Sequence, residues 1–101
     1  MVELLNKNFL SNELIEKLCI LADEAARRYV NSRVPKNEVP DITVSVGFQE
    51  AKELTFEVEV ALKLSELHTE DEAKKLAEEA VRSAFEVIDK YMANVKCQLT
   101  T

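Results

Sequence analysis

The residues that could do chemistry are few. His68 is the sole histidine, with Glu66, Glu70, Asp71 and Glu72 close by in sequence. A histidine among carboxylates has the donor types of a metal site, but a metal needs several ligands converging at suitable spacing, which adjacent surface acids do not supply. His68 is therefore read as a solvated loop residue. Glu57 and Glu59 stand two apart, which puts both carboxylates on one face of a strand. An acid-base pair also needs a cleft around reacting atoms. Exposed on a sheet surface, these two read as solubilising charge. Cys19 and Cys97 are too few and too far apart for a disulfide framework, and Cys19 sits in a helical pattern beside Leu18 as a small buried or half-buried thiol. No Cys-His or Ser-His-Asp arrangement shows. The expectation is a protein that is not an enzyme and has no cofactor, metal or small-molecule substrate.

Arg27, Arg28, Arg33 and Lys36 concentrate positive charge near one another and are the candidate anion-binding residues. Cations also belong there for structural reasons, because the C-terminal end of a helix is electronegative. The net charge of −6 opposes nonspecific binding to nucleic acid or anionic lipid, and no glycine-rich loop or interleaved exposed aromatics accompany the four. The structural reading is preferred, with RNA or anion binding as the alternative.

The elements that must position these residues follow from periodicity. From Asn12 to about Arg33, the apolar residues Leu14, Ile15, Leu18, Leu21, Ala22, Ala25, Ala26, Tyr29 and Val30 recur at three- and four-residue steps, the stripe of an amphipathic helix. Glu13–Lys17, Asp23–Arg27 and Glu24–Arg28 pair on its wet side. Ser11 is placed to cap it, Leu10 and Ile15 to staple its start, and Pro35 blocks its continuation. Alternation over residues 42–48 and again over 54–64 predicts two strands. In the second, Leu54, Phe56, Val58, Val60, Leu62 and Leu64 form an apolar ridge opposite Thr55, Glu57, Glu59, Ala61 and Lys63. Pairing Phe48 with Leu54 gives a consistent hairpin, with Leu62 and Leu64 beyond the shorter strand. Gly47, the only glycine, suggests a bulge or bend. Thr69 to Glu72 forms a capping box that opens a second helix over 70–93.

One domain over residues 1–101 follows: an N-terminal arm at 1–10, helical or extended, an α-β-β-α core at 11–93 and a C-terminal tail at 94–101 that either extends the second helix through Val95 and Leu99 or frays into a strand-like end. The fold class is α+β, two layers, an antiparallel hairpin covered on one face by two helices. No apolar run approaches a membrane span, and the first residues lack a signal-peptide pattern, so a cytoplasmic protein is expected. Spaced Glu-Lys pairs resemble the surfaces of proteins from hot environments.

At Tyr29-Val30-Asn31-Ser32-Arg33-Val34-Pro35-Lys36-Asn37-Glu38, Asp41-Ile42-Thr43-Val44, the strand 54–64 and Glu79-Ala80-Val81, the chain resembles a small archaeal family of uncharacterised proteins, domain of unknown function 3194. The likeness covers most of residues 11 to 92 and implies a helix–strand–strand–helix fold. Family genes often lie beside that of the prefoldin beta subunit, which implies a link with protein folding or with the translation and transcription machinery. The family has no defined functional residues to carry over. Beside it stands a physical argument, that both strands of a hairpin are edges. The expected partner is another protein or a second copy, docking at the strand that carries Thr55, Glu57, Glu59, Ala61 and Lys63.

Overall fold

The computed structural model describes residues 12–50 and 54–100. Helix α1 spans Asn12–Arg33 and strand β1 spans Asp41–Glu50, with a 3-10 turn at Lys36–Glu38 between them. Strand β2 spans Leu54–Lys63, and helix α2 spans Glu70–Thr100. The arm at 1–10, the Ser11 cap and the Leu10–Ile15 staple lie outside the described residues.

The stripe of α1 becomes its buried face: Ile15, Leu18, Ala22, Ala26 and Val30 are enclosed. Its end is set by Pro35, which has no N–H to continue the ladder and sits in extended geometry at φ −58°, ψ 145°. The chain then tightens into the 3-10 turn, where the Glu38 and Val39 amides donate to the Pro35 and Lys36 carbonyls. Helix α2 buries Leu76, Ala80, Ala84 and Ile88, one residue per turn. Ala22, Ala26, Ala80 and Ala84 are each 0% exposed and belong to one cluster, so the helices meet along a seam of small side chains. They run antiparallel. The Tyr29 hydroxyl donates to Glu79 near one end, and Lys17 Nζ lies 5.3 Å from the Tyr91 ring near the other.

The hairpin lies beneath this pair, with β1 against α1 and β2 against α2. Ile42, Val44 and Val46 from β1, and Phe56, Val58, Val60 and Leu62 from β2, pack on the core but stay half-buried. The opposite face is exposed at every described side-chain position from Asp41 to Gln49 and from Thr55 to Lys63.

The register differs from the expected one by two residues. Phe48 pairs with Phe56, Val46 with Val58, Val44 with Val60 and Ile42 with Leu62. A shift of two leaves every side chain on its face, so the alternation alone cannot distinguish the two registers. Strand β1 continues through Gln49 and Glu50, which adds two ladder pairs and leaves three residues between the strands instead of five. Leu62 is thereby paired, and of the two leucines only Leu64 lies beyond the ladder. Gly47 forms no bulge; it pairs regularly with Glu57 and has no positive φ. The second helix also outruns its expected end at 93. Of the two alternatives for the tail, residues 94–100 take the first and continue α2, as a stretch without proline or glycine allows.

Candidate functional site

Three features carry the side chains singled out above: the turn that opens α2, the C-terminal end of α1, and the hairpin.

Thr69 caps α2 as its sequence pattern predicts, its Oγ1 accepting from the Glu72 amide at 3.1 Å. The reciprocal half of the box is replaced. Glu72 turns its carboxylate to His68, whose Nδ1 lies 2.9 Å from Glu72 Oε2, while Nε2 lies 2.7 Å from Glu38 Oε1. A carboxylate only accepts, so both bonds coexist when the imidazole carries both protons. The hydrogen bond to Glu38, then that to Glu72, raises the His68 pKa above 6.5 against an opposing desolvation. His68 is thus not a solvated loop residue. With its side chain 21% exposed, it clasps the 3-10 turn to the start of α2, next to the Ser65 amide that donates to the Glu38 carbonyl. Among the described residues no group of three or more His, Cys, Asp or Glu could hold a metal ion.

The four basic residues do not form one patch. Arg27 is paired with Asp23 and shares a groove with Asn31, Lys36, Val39 and Ile42. Arg28 lines a different cleft, between the helices, with Ser32, Ser83 and Glu86. Arg33 lies 5.1 Å from the Tyr29 ring and lines a third, beside His68, Lys75 and Glu79. The acceptor Glu79 holds the Tyr29 phenol pKa above its ordinary value, the largest of several causes. Side chains three and four apart share a helix face, but 27, 28 and 33 sample different parts of the circumference.

On the hairpin's outer face Asp41 faces Lys63, Thr43 faces Ala61, Ser45 faces Glu59, Gly47 faces Glu57 and Gln49 faces Thr55. Thr55, Glu57, Glu59, Ala61 and Lys63 therefore do share one exposed surface. A Cβ built on Gly47 meets nothing within 4 Å, so this face opens directly to solvent there. Glu57 and Glu59 are both exposed on this face, and none of the grooves named above is lined by either.

Sequence reasoning missed the flank where α1 meets β1. Ile20 is 58% exposed and lines a groove with Cys19, Asp23, Glu24, Val44 and Val46; Phe48, 45% exposed, follows on the same strand face. The signal was present: Ile20 falls outside the stripe Ile15, Leu18, Ala22, so it had to point away from the core. Cys19 is held protonated by burial and then by Glu16, both raising its pKa, which makes it a poor nucleophile.

No helix among the described residues is long and apolar enough to cross a membrane. The sequence matches the family described as protein of unknown function (DUF3194) over residues 7–91. Among solved structures, a crystal structure from Thermococcus onnurineus NA1 is similar at TM-score 0.73 and 29% identity, covering 88% of this chain and 85% of that one. The solution structure of the hypothetical protein mth677 from Methanothermobacter thermautotrophicus matches at TM-score 0.73 and 21% identity, covering 84% and 91%, and supports the fold. No curated protein matches.

Proposed function

The chain belongs to the DUF3194 family, and on that premise we propose that it is a non-catalytic protein-interaction module that binds through its open hairpin. The observation that carries this reading is the two-stranded sheet itself. Among the described residues each strand has one neighbour, so each presents an outward row of backbone donors and acceptors, and every described position of the outer face is exposed. Strand addition to such an edge takes affinity from main-chain hydrogen bonds and specificity from alternate side chains. On β2 those are Thr55, Glu57, Glu59, Ala61 and Lys63, whose two carboxylates favour a partner with complementary charge. The partner strand comes from another protein or a second copy, in the setting of protein folding or translation that the family resemblance implies. The competing reading, RNA or anion binding, has less support because the four basic residues are divided among three clefts, with only Arg27 and Lys36 in one, and Arg27 is paired with Asp23.

Capture from a native lysate, with identification of retained protein and RNA, tests the reading. A protein held by the wild type and released by the Glu57→Lys, Glu59→Lys double variant is the expected outcome. RNA retained at low salt, lost as salt rises and lost on charge reversal at Arg28 and Arg33 would replace it with the competing one. Retention of neither sinks both.

A further inference from the structure

We propose that the edge in use is β1, and that it takes an extended segment of another protein, with apolar side chains at alternate positions, a basic residue at one end and an acidic residue at the other. This rests on the reading of the open hairpin as an interaction surface, moves the added strand from β2 to β1 and names its partner; release of that partner by Glu57→Lys, Glu59→Lys with Ile20→Glu silent would place it on β2 and overturn this inference alone. Native edges are guarded by charge, proline or bulges. Strand β2 carries Glu57 and Glu59 inside its run, whereas β1 keeps its charges at its two ends, Asp41 and Glu50, with neither charge nor proline between them, and Gly47 does not bulge.

Beside this unguarded edge lies a trough. The groove of Cys19, Ile20, Asp23, Glu24, Val44 and Val46 and the groove of Arg27, Asn31, Lys36, Val39 and Ile42 lie end to end on one seam, joined by the Asp23–Arg27 pair. The helices contribute to it through width. Two packed helices lie about 8–10 Å apart and two strands about 5 Å, so α1 overhangs β1. A strand added at ladder spacing slides beneath α1, with alternate side chains against Ile20, Val44 and Val46. The others join the neutral outer row of Thr43, Ser45 and Gly47.

That width also excludes a second copy. A two-fold at this edge that keeps both apolar faces on one side brings the two α1 axes within a few ångströms, far inside the 8–10 Å that helices need. Flipping the copy sets its polar face in the trough. Charge then orients the segment. Asp23 and Arg27 satisfy each other, Asp41 faces Lys63 across the ladder, and no Glu24–Arg28 pair forms among the described residues, which leaves Glu24 for a base at the Val46 end and Lys36 for an acid at the Ile42 end. In the firmer, antiparallel pairing the base comes first.

The probe is a capped peptide Lys-Val-Thr-Val-Thr-Val-Glu, titrated into the full chain and followed by amide NMR shifts. Saturable shifts at Thr43, Ser45, Gly47 and Ile20 are expected. A central proline should weaken binding at least about tenfold, the worth of one or two ladder hydrogen bonds. Ile20→Glu should abolish binding, and Glu24→Lys should weaken it until the peptide carries Glu at both ends. Both substitutions lie at exposed positions, so the fold survives them. Equal affinity for the proline peptide, shifts confined to β2, or binding only after removal of residues 1–10 would each overturn the proposal, as would a dimer dissolved by Ile20→Glu. No peptide binding, with a lysate protein still retained, overturns this inference alone and leaves the interaction reading standing.

Discussion

The helix–helix seam and the hairpin are both apolar by sequence, yet they are finished to different degrees. Along the seam, alanines from α1 and α2 are wholly enclosed; on the hairpin, the valines of β1 and β2 stay half-buried and Phe48 is nearly half exposed. Small residues let two helix backbones close on each other and exclude water from between them. Two strands under a wider helical layer cannot do the same for their own face. The cohesion of the domain therefore lies in the seam, and the hairpin is the part left with surface to offer.

The largest effect expected from breaking this contrast is at the seam side. Leu18→Ala removes a fully enclosed side chain and should cost about 2–5 kcal/mol in denaturant unfolding, because a close-packed site collapses poorly around the cavity. A loss near zero would mean that α1 is not held as described. On the hairpin, Val58→Asp sets a carboxylate against the core without a partner and should cost about 1–3 kcal/mol, while Glu59→Lys, one residue along on the exposed face, should stay within about 0.5 kcal/mol. Similar losses from both would erase the distinction between the two faces.

Smaller again, and opposite in sign, is Gly47→Ala. The glycine has an ordinary φ and open space at its Cβ, so the substitution should raise stability by about 0.4–1 kcal/mol, chiefly by restricting the unfolded chain. A destabilised variant would show that Gly47 meets something on that face. The weakest expected effect is the His68 clasp, and it sharpens the comparison by pH. The folded-state pKa of His68 is raised, so its contribution is complete below the unfolded value of about 6.5 and is lost as the pH rises through the raised value. Melting temperatures of wild type and His68→Gln should converge with rising pH. Divergence would contradict an imidazolium held between Glu38 and Glu72.

What the chain discloses in advance follows how local each cause is. Helix α1 is readable end to end because its period and Pro35 act within a few residues, and the start of α2 is readable from Thr69. The faces of both strands follow from alternation, but the register does not, since parity is blind to a slip of two. The far end of α2 stays open in the sequence, helix or frayed strand, because no residue there stops a helix. The Glu38–His68 contact spans thirty positions and leaves no periodic trace. The trough along β1 is harder still, since it arises from the relative widths of two layers and no single residue encodes it.

The seam has one more effect, on time. Ala22 and Ala26 meet Ala80 and Ala84 across more than fifty residues of intervening chain, whereas only three residues of sequence separate β1 from β2. A hairpin closes in microseconds, but a contact between distant segments must wait for a long loop to be gathered. The seam is therefore expected to close late on the way to the folded state. A substitution that crowds it should shorten the lifetime of the folded molecule far more than it slows its formation.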